Sequence, residues 1–66
     1  MGPEHPDVAM TLTNLGFYYV SIRAYEQAHP LYQRALYIQE KVLGPQHPEV
    51  AKTQKVLALL NYHMGA

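Results

Sequence analysis

One stretch of the sequence occurs twice, 42 residues apart. Gly2–Ala9 (GPEHPDVA) returns as Gly44–Ala51 (GPQHPEVA), and nine of the 23 pairs between Gly2/Gly44 and Ala24/Ala66 are identical. A fixed period of this size is typical of stacked repeats, in which one unit cannot bury its own apolar face. The chain holds only about one and a half periods, so we expect it to be a part of something longer or to need a partner.

The composition fits one small domain and excludes several classes of protein. The 66 residues contain no cysteine, which rules out a disulfide and a thiolate metal site. Five Lys/Arg balance five Asp/Glu, which argues against a nucleic-acid partner or an anionic membrane surface. No apolar run approaches the ~18–20 residues of a membrane span, and the N-terminus lacks a signal-peptide pattern. We therefore expect a cytoplasmic protein.

Turn signals divide the chain into three helices. Each Gly-Pro pair breaks the chain and is followed by His-Pro and an acidic residue. Proline is favoured at the first helical position, and Asp7 and Glu49 place negative charge at the positive end of a helix. Apolar residues at helical spacing then predict helices over about 6–21, 25–43 and 48–63. No segment alternates with period two, so the predicted fold class is all-α with three antiparallel helices.

Each predicted helix has a stripe of residues that we expect to face the core. The members are Leu12, Leu15, Gly16 and Tyr19 in the first helix, Ala28, Leu31, Tyr32, Ala35, Leu36, Gln39, Val42 and Leu43 in the second, and Val50, Thr53, Leu57, Leu60 and Asn61 in the third. Pro30 lies inside the second helix, where it removes one hydrogen bond and crowds a carbonyl. We expect an irregular or 3₁₀ first turn there.

The pattern L-x-x-L-G-x-x-Y followed by A-x-x-x-Y-x-x-A resembles the tetratricopeptide repeat. It is formed here by Leu12, Leu15, Gly16, Tyr19, Ala28, Tyr32 and Ala35. The 42-residue period and the run LGPxHPxVA are similar to the kinesin-light-chain type, which also occurs in bacterial signalling proteins. The resemblance implies a fragment of an α-solenoid. Residues 1–66 would form one helix-turn-helix repeat, helices A and B, plus helix A of a second repeat.

Arg23 stands where the family usually has a glycine between helices A and B. Gly65 occupies the aligned position in the second copy. If the turn requires a positive φ, arginine adopts it at a cost of roughly 1 kcal/mol. Opening of this turn into a domain-swapped form is the alternative.

The resemblance places a peptide-binding groove on the concave face, which is lined by the A helices. The residues that it implies are Met10, Thr13, Asn14, Phe17, Val20 and Ser21 in the first helix and Lys52, Lys55, Val56, Leu59, Tyr62 and His63 in the third. Asn14 matches an asparagine that holds the backbone of an extended peptide in relatives, and an amide can donate and accept at once. Phe17, Val20 and Leu59 would form apolar sockets, and the two lysines would supply positive charge. An extended peptide with large apolar side chains beside acidic residues is the implied partner.

Catalysis and metal binding have little support in the sequence. The chain has no recognisable Ser–His–acid spacing and no glycine-rich phosphate loop. His5 and His47 stand at equivalent helix starts, so we expect them to cap helices rather than to bind a metal. We expect no enzyme activity, no cofactor and no metal site.

The predicted function is therefore a protein–protein interaction module. The alternative is a structural repeat unit that assembles with itself and has no external ligand. We expect the apolar stripe of the third helix to need a helix B that the chain lacks, so the isolated chain is predicted to be a homo-oligomer.

Overall fold

The computed structural model describes residues 6–65, which form three helices and, within that range, no strand. The helices are α1 (Pro6–Ser21), α2 (Tyr25–Leu43) and α3 (Pro48–His63). The predicted all-α class with three helices is confirmed. α2 packs against both α1 and α3, whereas the α1 and α3 backbones do not come within 8 Å of each other.

The contact between α1 and α2 is built from small residues. Ala28 and Ala35 of α2 are completely buried, as the sequence predicts. Gly16 of α1 lies against the ring of Tyr32, since a Cβ added at Gly16 would lie only 2.6 Å from Cε2 of that ring. The two helices therefore approach closely because neither has a large side chain at these positions. Ile38, which the predicted stripe omits, is also buried in this contact.

The contact between α2 and α3 combines an apolar cluster with polar pairs. Leu60 packs with Ala28 and Tyr32 of α2. The hydroxyl of Thr53 donates to the buried Oε1 of Gln39 at 2.6 Å. The prediction that the α3 stripe needs a helix B that the chain lacks is therefore wrong. Val50, Thr53 and Leu60 of the stripe are already buried, because α3 uses this face to pack on α2.

Four residues of the predicted core stripes are exposed instead. Leu15 of α1 is 43% exposed. Val42 and Leu43 are exposed near the end of α2, where they line an open cleft. Helical spacing assigns these three apolar residues to the predicted core stripes, but only a neighbouring helix can bury them. No helix among the described residues covers them. Asn61 of α3 is also exposed, although a 2.9 Å hydrogen bond joins it to His29.

Local side-chain chemistry defines the start of α3. His47 is its N-cap residue, and its Nδ1 accepts a hydrogen bond from the N–H of Glu49 at 3.1 Å. This confirms the capping role predicted for His47, because such a cap satisfies one of the unpaired N–H groups at a helix start. His5, which was assigned the same role, lies outside the described residues.

Pro30 does not distort α2. The helix is regularly α-helical from Tyr25 onwards, so the predicted irregular or 3₁₀ first turn is wrong. Proline removes only the hydrogen bond to the carbonyl of Glu26, close to the helix start. Burial of Ala28 and Tyr32 on either side of Pro30 holds this part of the helix in place.

Arg23 has the positive φ that its position suggests, with φ at 64° against 74° for Gly65. The N–H of Arg23 donates to the carbonyl of Val20 at 2.9 Å, and that of Ala24 to the carbonyl of Tyr19 at 2.8 Å. This is the hydrogen-bond pattern of a Schellman motif, in which glycine normally occupies the left-handed position. The arginine is therefore strained in the turn between α1 and α2.

Replacing Arg23 by glycine relieves this strain. We expect Arg23→Gly to raise the free energy of unfolding by up to about 1 kcal/mol. The gain is reduced because glycine also increases the conformational entropy of the unfolded chain. Arg34→Gly, at an exposed position inside α2, is the matched control and should lower it by about 1 kcal/mol. Urea denaturation followed by circular dichroism measures both. Equal losses in the two variants would show that the turn does not strain Arg23.

Candidate functional site

A small apolar cleft lies between α1 and α3. Its volume is about 230 Å³, and its lining consists of Phe17, Val20, Tyr25, Tyr32, Val56, Leu59, Leu60 and His63. Tyr32 of the central helix is buried and forms the floor. Pockets for whole drug-sized ligands usually measure about 300–1,000 Å³, so this cleft suits a side chain rather than a whole small molecule.

Phe17 and Leu59 are the most prominent residues of the cleft. They occupy equivalent positions of the two repeats, and they are 68% and 59% exposed. Both side chains line the same cleft, although they lie on different helices. Large apolar side chains that stay this exposed in a group mark an interaction surface more often than a chance arrangement.

Thr13 and Asn14 precede the cleft on α1. The hydroxyl of Thr13 donates to the carbonyl of Met10 at 2.9 Å. Its hydrogen is therefore already used in a bond within α1. Asn14 is exposed and lies one helical turn before Phe17, on the same side of α1. Its amide makes no hydrogen bond to another described residue. Asn14 does not line the cleft, but its amide is free to bind a ligand that extends along α1 from it.

Positive charge lies on α3, one to two turns before Leu59. Lys52 forms an ion pair of 3.5 Å with Glu49, and both side chains are largely exposed. Exposed pairs of this kind contribute little to stability. Lys55 is exposed and has no ion-pair partner among the described residues. Lys55 is thus the lysine whose charge is fully available beside the cleft.

The remaining predicted site residues do not line this cleft. Met10 contributes to a separate cleft of about 340 Å³ at the other end of the molecule, together with Ala9, Ile38, Gln39, Val42, Leu43, His47 and Glu49. Tyr62 is exposed on α3, with its ring edge-on to His63 at 5.7 Å. Of the predicted residues, the cleft is therefore lined by Phe17, Val20, Val56, Leu59 and His63. It is not lined by Met10, Thr13, Asn14, Ser21, Lys52, Lys55 or Tyr62.

The predicted site omitted three residues that line the cleft: Tyr25, Tyr32 and Leu60. The sequence marks Tyr32 and Leu60 as core residues, and both are indeed buried. Only the packing of the three helices shows that Tyr32 and Leu60 also line the cleft. Tyr25 stacks on His63 with ring centroids 4.9 Å apart, a pairing across 38 residues of sequence that no local pattern indicates.

The floor of the cleft is neutral. Burial raises the pKa of the Tyr32 hydroxyl above its usual value of 10.0, because the charged form would lose its solvation. The phenol thus stays protonated at neutral pH, and stability does not depend on its ionisation in that range. A ligand side chain at the floor meets an aromatic ring rather than a charge.

Residues 6–65 contain no cluster of metal-binding side chains and no helix that could cross a membrane. No group of three or more His, Cys, Asp or Glu residues in that range could hold a metal ion. None of the three helices is both long and apolar enough to cross a membrane.

Comparison with known families identifies most of the chain. A family model described as tetratricopeptide repeat matches residues 8–49, which include nearly all of α1, all of α2 and the first residues of α3. The comparison with characterised proteins finds no match.

Proposed function

Because the chain belongs to the tetratricopeptide-repeat family, of the kinesin-light-chain type, and is thus a protein–protein interaction repeat, we propose that its cleft between α1 and α3 binds an extended peptide. The observation that carries this proposal is the exposure of Phe17 and Leu59 at equivalent positions of the two repeats in one cleft. The division of the chain into one repeat and helix A of a second is part of the same proposal.

The chemistry of the cleft favours a particular kind of peptide. Its volume of about 230 Å³ and its neutral aromatic floor suit one large apolar side chain. Lys55 and Lys52 favour acidic residues beside that side chain. The amide of Asn14 can donate to and accept from a peptide backbone at the same time. We therefore propose an extended partner segment with one or two large apolar residues next to acidic ones.

We propose a binding role alone, without catalysis and without a cofactor. The family supports this proposal, because tetratricopeptide repeats are non-enzymatic interaction modules. The cytoplasmic location stays a prediction of the sequence.

Two substitutions test the peptide-binding cleft. Asn14→Ala and Phe17→Ala should each weaken binding by about 1 kcal/mol or more, because each removes an anchor for the peptide. A screen of acidic peptides with one large apolar residue, followed by titration using fluorescence anisotropy, provides the ligand and the measurement. Lys55→Ala should mainly reduce the dependence of binding on salt.

Tyr37→Ala is the matched control for Phe17→Ala. Tyr37 is an aromatic residue of comparable exposure on α2, and it does not line the cleft. It should leave peptide affinity unchanged. If Asn14→Ala and Phe17→Ala also bind at wild-type strength, or if no peptide of this class binds, the cleft is not the binding site.

Self-assembly is the second candidate function. It is favoured by large apolar side chains that stay exposed on α1, among them Leu15, Tyr18 and Ile22. Contact between such surfaces of two chains would give the homo-oligomer predicted from the sequence, either directly or by opening of the turn at Arg23. In that role the chain would be a structural unit without an external ligand.

A further inference from the structure

The cap at the start of α3 requires a neutral histidine. Nδ1 of His47 accepts a hydrogen bond from the N–H of Glu49 at 3.1 Å. A neutral imidazole has one nitrogen that donates and one that accepts, whereas both nitrogens donate in the protonated ring. The bond therefore fixes the tautomer of His47, with the proton on Nε2. Protonation of Nδ1 removes the acceptor and breaks the bond.

Protonation of His47 also places a positive charge at the positive end of α3. His47 is half-buried and is the N-cap residue, with φ at −71° and ψ at 141°. The N–H groups without a partner in the first turn give a helix start a partial positive charge, which repels a cation. Loss of the hydrogen bond and this repulsion act in the same direction, so both oppose a protonated cap.

The surroundings of His47 offer little compensation for that charge. His47 lines the cleft of about 340 Å³, to which α1 and α2 contribute only uncharged residues: Ala9, Met10, Ile38, Gln39, Val42 and Leu43. Glu49 of α3 is the only carboxylate among the described residues of this cleft. Its side chain is half exposed and already pairs with Lys52 at 3.5 Å. Exposed ion pairs contribute little to stability, so Glu49 does not replace the lost cap.

His29 is held in a different way. Its Nε2 lies 2.9 Å from Oδ1 of Asn61, an oxygen that can only accept. His29 is therefore the donor in this bond, and a protonated ring keeps it. Acid does not remove this contact between α2 and α3.

His63 lies at the other end of α3, where a positive charge is favourable. It is in the last turn of the helix, and its ring stacks on that of Tyr25 with centroids 4.9 Å apart. A cation is stabilised both at a helix C-terminus and over an aromatic face. Arg23 and Glu26 line the polar cleft beside His63, and their opposite charges offset each other. Acid therefore weakens the start of α3 and does not weaken its end.

The residues that follow the cap hold this end of α3 on α2. Val50 is completely buried, and the hydroxyl of Thr53 donates to Oε1 of Gln39 at 2.6 Å. The same hydroxyl lies 3.1 Å from the carbonyl of Glu49, which belongs to the first turn. Loss of the cap thus acts on the turn that carries these contacts.

We propose that His47 is a pH-sensitive cap, whose protonation releases the first turn of α3 and leaves the other end of the helix in place. Histidine is the side chain whose charge normally changes between about pH 5 and pH 8. The cap contributes stability while His47 is neutral, and this contribution is lost as the pH falls and the ring gains a proton. The device does not depend on peptide binding, because His47 does not line the peptide cleft.

His47→Asn tests the proposal, because asparagine is a good N-cap residue that gains no proton in this range. Urea denaturation of the wild-type chain and the variant at about pH 8 and about pH 5 gives their unfolding equilibrium constants. We expect the two constants to agree within about twofold at the higher pH. At the lower pH the wild-type constant should be about fivefold larger than that of the variant, the usual effect of a lost cap. The same ratio at both pH values would overturn the proposal.

His29→Gln is the matched control. It removes a histidine that is also in the contact between α2 and α3 but does not cap a helix. This variant should keep the pH dependence of the wild-type chain. If the dependence disappears in His29→Gln and persists in His47→Asn, His29 is the sensor and the proposal is wrong.

Nuclear magnetic resonance separates a local release from a general loss of stability. Long-range proton–nitrogen spectra of the imidazole rings should show Nδ1 of His47 without a proton at the higher pH. The Cα chemical shifts of residues 49–51 should move towards unfolded values at the lower pH in the wild-type chain and stay helical in His47→Asn. A protonated Nδ1 at the higher pH, or helical shifts at both pH values in the wild-type chain, would overturn the proposal.

Discussion

Leu60→Ala is expected to lower the free energy of unfolding by about 2–5 kcal/mol, the usual cost of truncating a buried leucine. Leu60 is 2% exposed and packs against Ala28 and Tyr32 of α2. Truncation removes apolar contacts and leaves a cavity in the only helix contact that α3 makes among the described residues. Urea denaturation monitored by circular dichroism at 222 nm gives the change.

The neighbouring residue is the control. Leu59→Ala makes the same chemical change at a position that is largely exposed, so it should alter the free energy of unfolding by no more than about 0.5 kcal/mol. It should instead weaken peptide binding, because Leu59 lines the cleft. Comparable losses of stability in the two variants would mean that α3 is rotated about its axis relative to the structure described above.

Ala35→Leu is expected to lower the free energy of unfolding by about 1–3 kcal/mol, because it overfills the contact between α1 and α2. Ala35 is completely buried and packs in a cluster with Ala9 and Ile38. The extra carbon atoms of leucine find no space unless the two helices move apart. Thermal unfolding and urea denaturation both report the loss.

Gln33→Leu introduces the same side chain on the exposed side of α2. It should change the free energy of unfolding by no more than about 0.5 kcal/mol, because nothing packs against that position. Wild-type stability in Ala35→Leu would indicate a gap between α1 and α2 that the extra atoms fill. A loss in Gln33→Leu as large as that in Ala35→Leu would show that the helix phase is different.

The limits of each helix follow from local chemistry that the sequence displays. The start of α3 is defined by His47 and Pro48, which act within one turn. The end of α2 is defined by Gly44 with its φ of 91°, and the turn before α2 by the left-handed conformation of Arg23. These features involve residues a few positions apart, and a linear pattern therefore predicts them. Pro30 is the exception. The burial of Ala28 and Tyr32 against other helices outweighs the hydrogen bond that proline removes.

The candidate site was predictable in part. Helical spacing and the resemblance to known repeats indicate Phe17, Val20 and Leu59, which line one cleft in the structure. The same reasoning added Met10, which lies on the same helix but contributes to a different cleft. The omitted residue Tyr25 reaches the cleft from α2. Its position depends on how three helices pack together, and no pattern along one helix contains that information.

Leu15 and Leu57 show most clearly what the sequence determined and what only the tertiary structure decided. They are the same residue at the same position of the repeat, so the sequence alone gives each a place on an apolar stripe of a helix. Leu57 packs against α2, whereas Leu15 stays exposed because no helix lies beside it among residues 6–65. Periodicity determines which residues share a face of a helix, because backbone geometry is local. The neighbour that covers the face determines burial, and that neighbour is set by contacts between residues far apart in the chain.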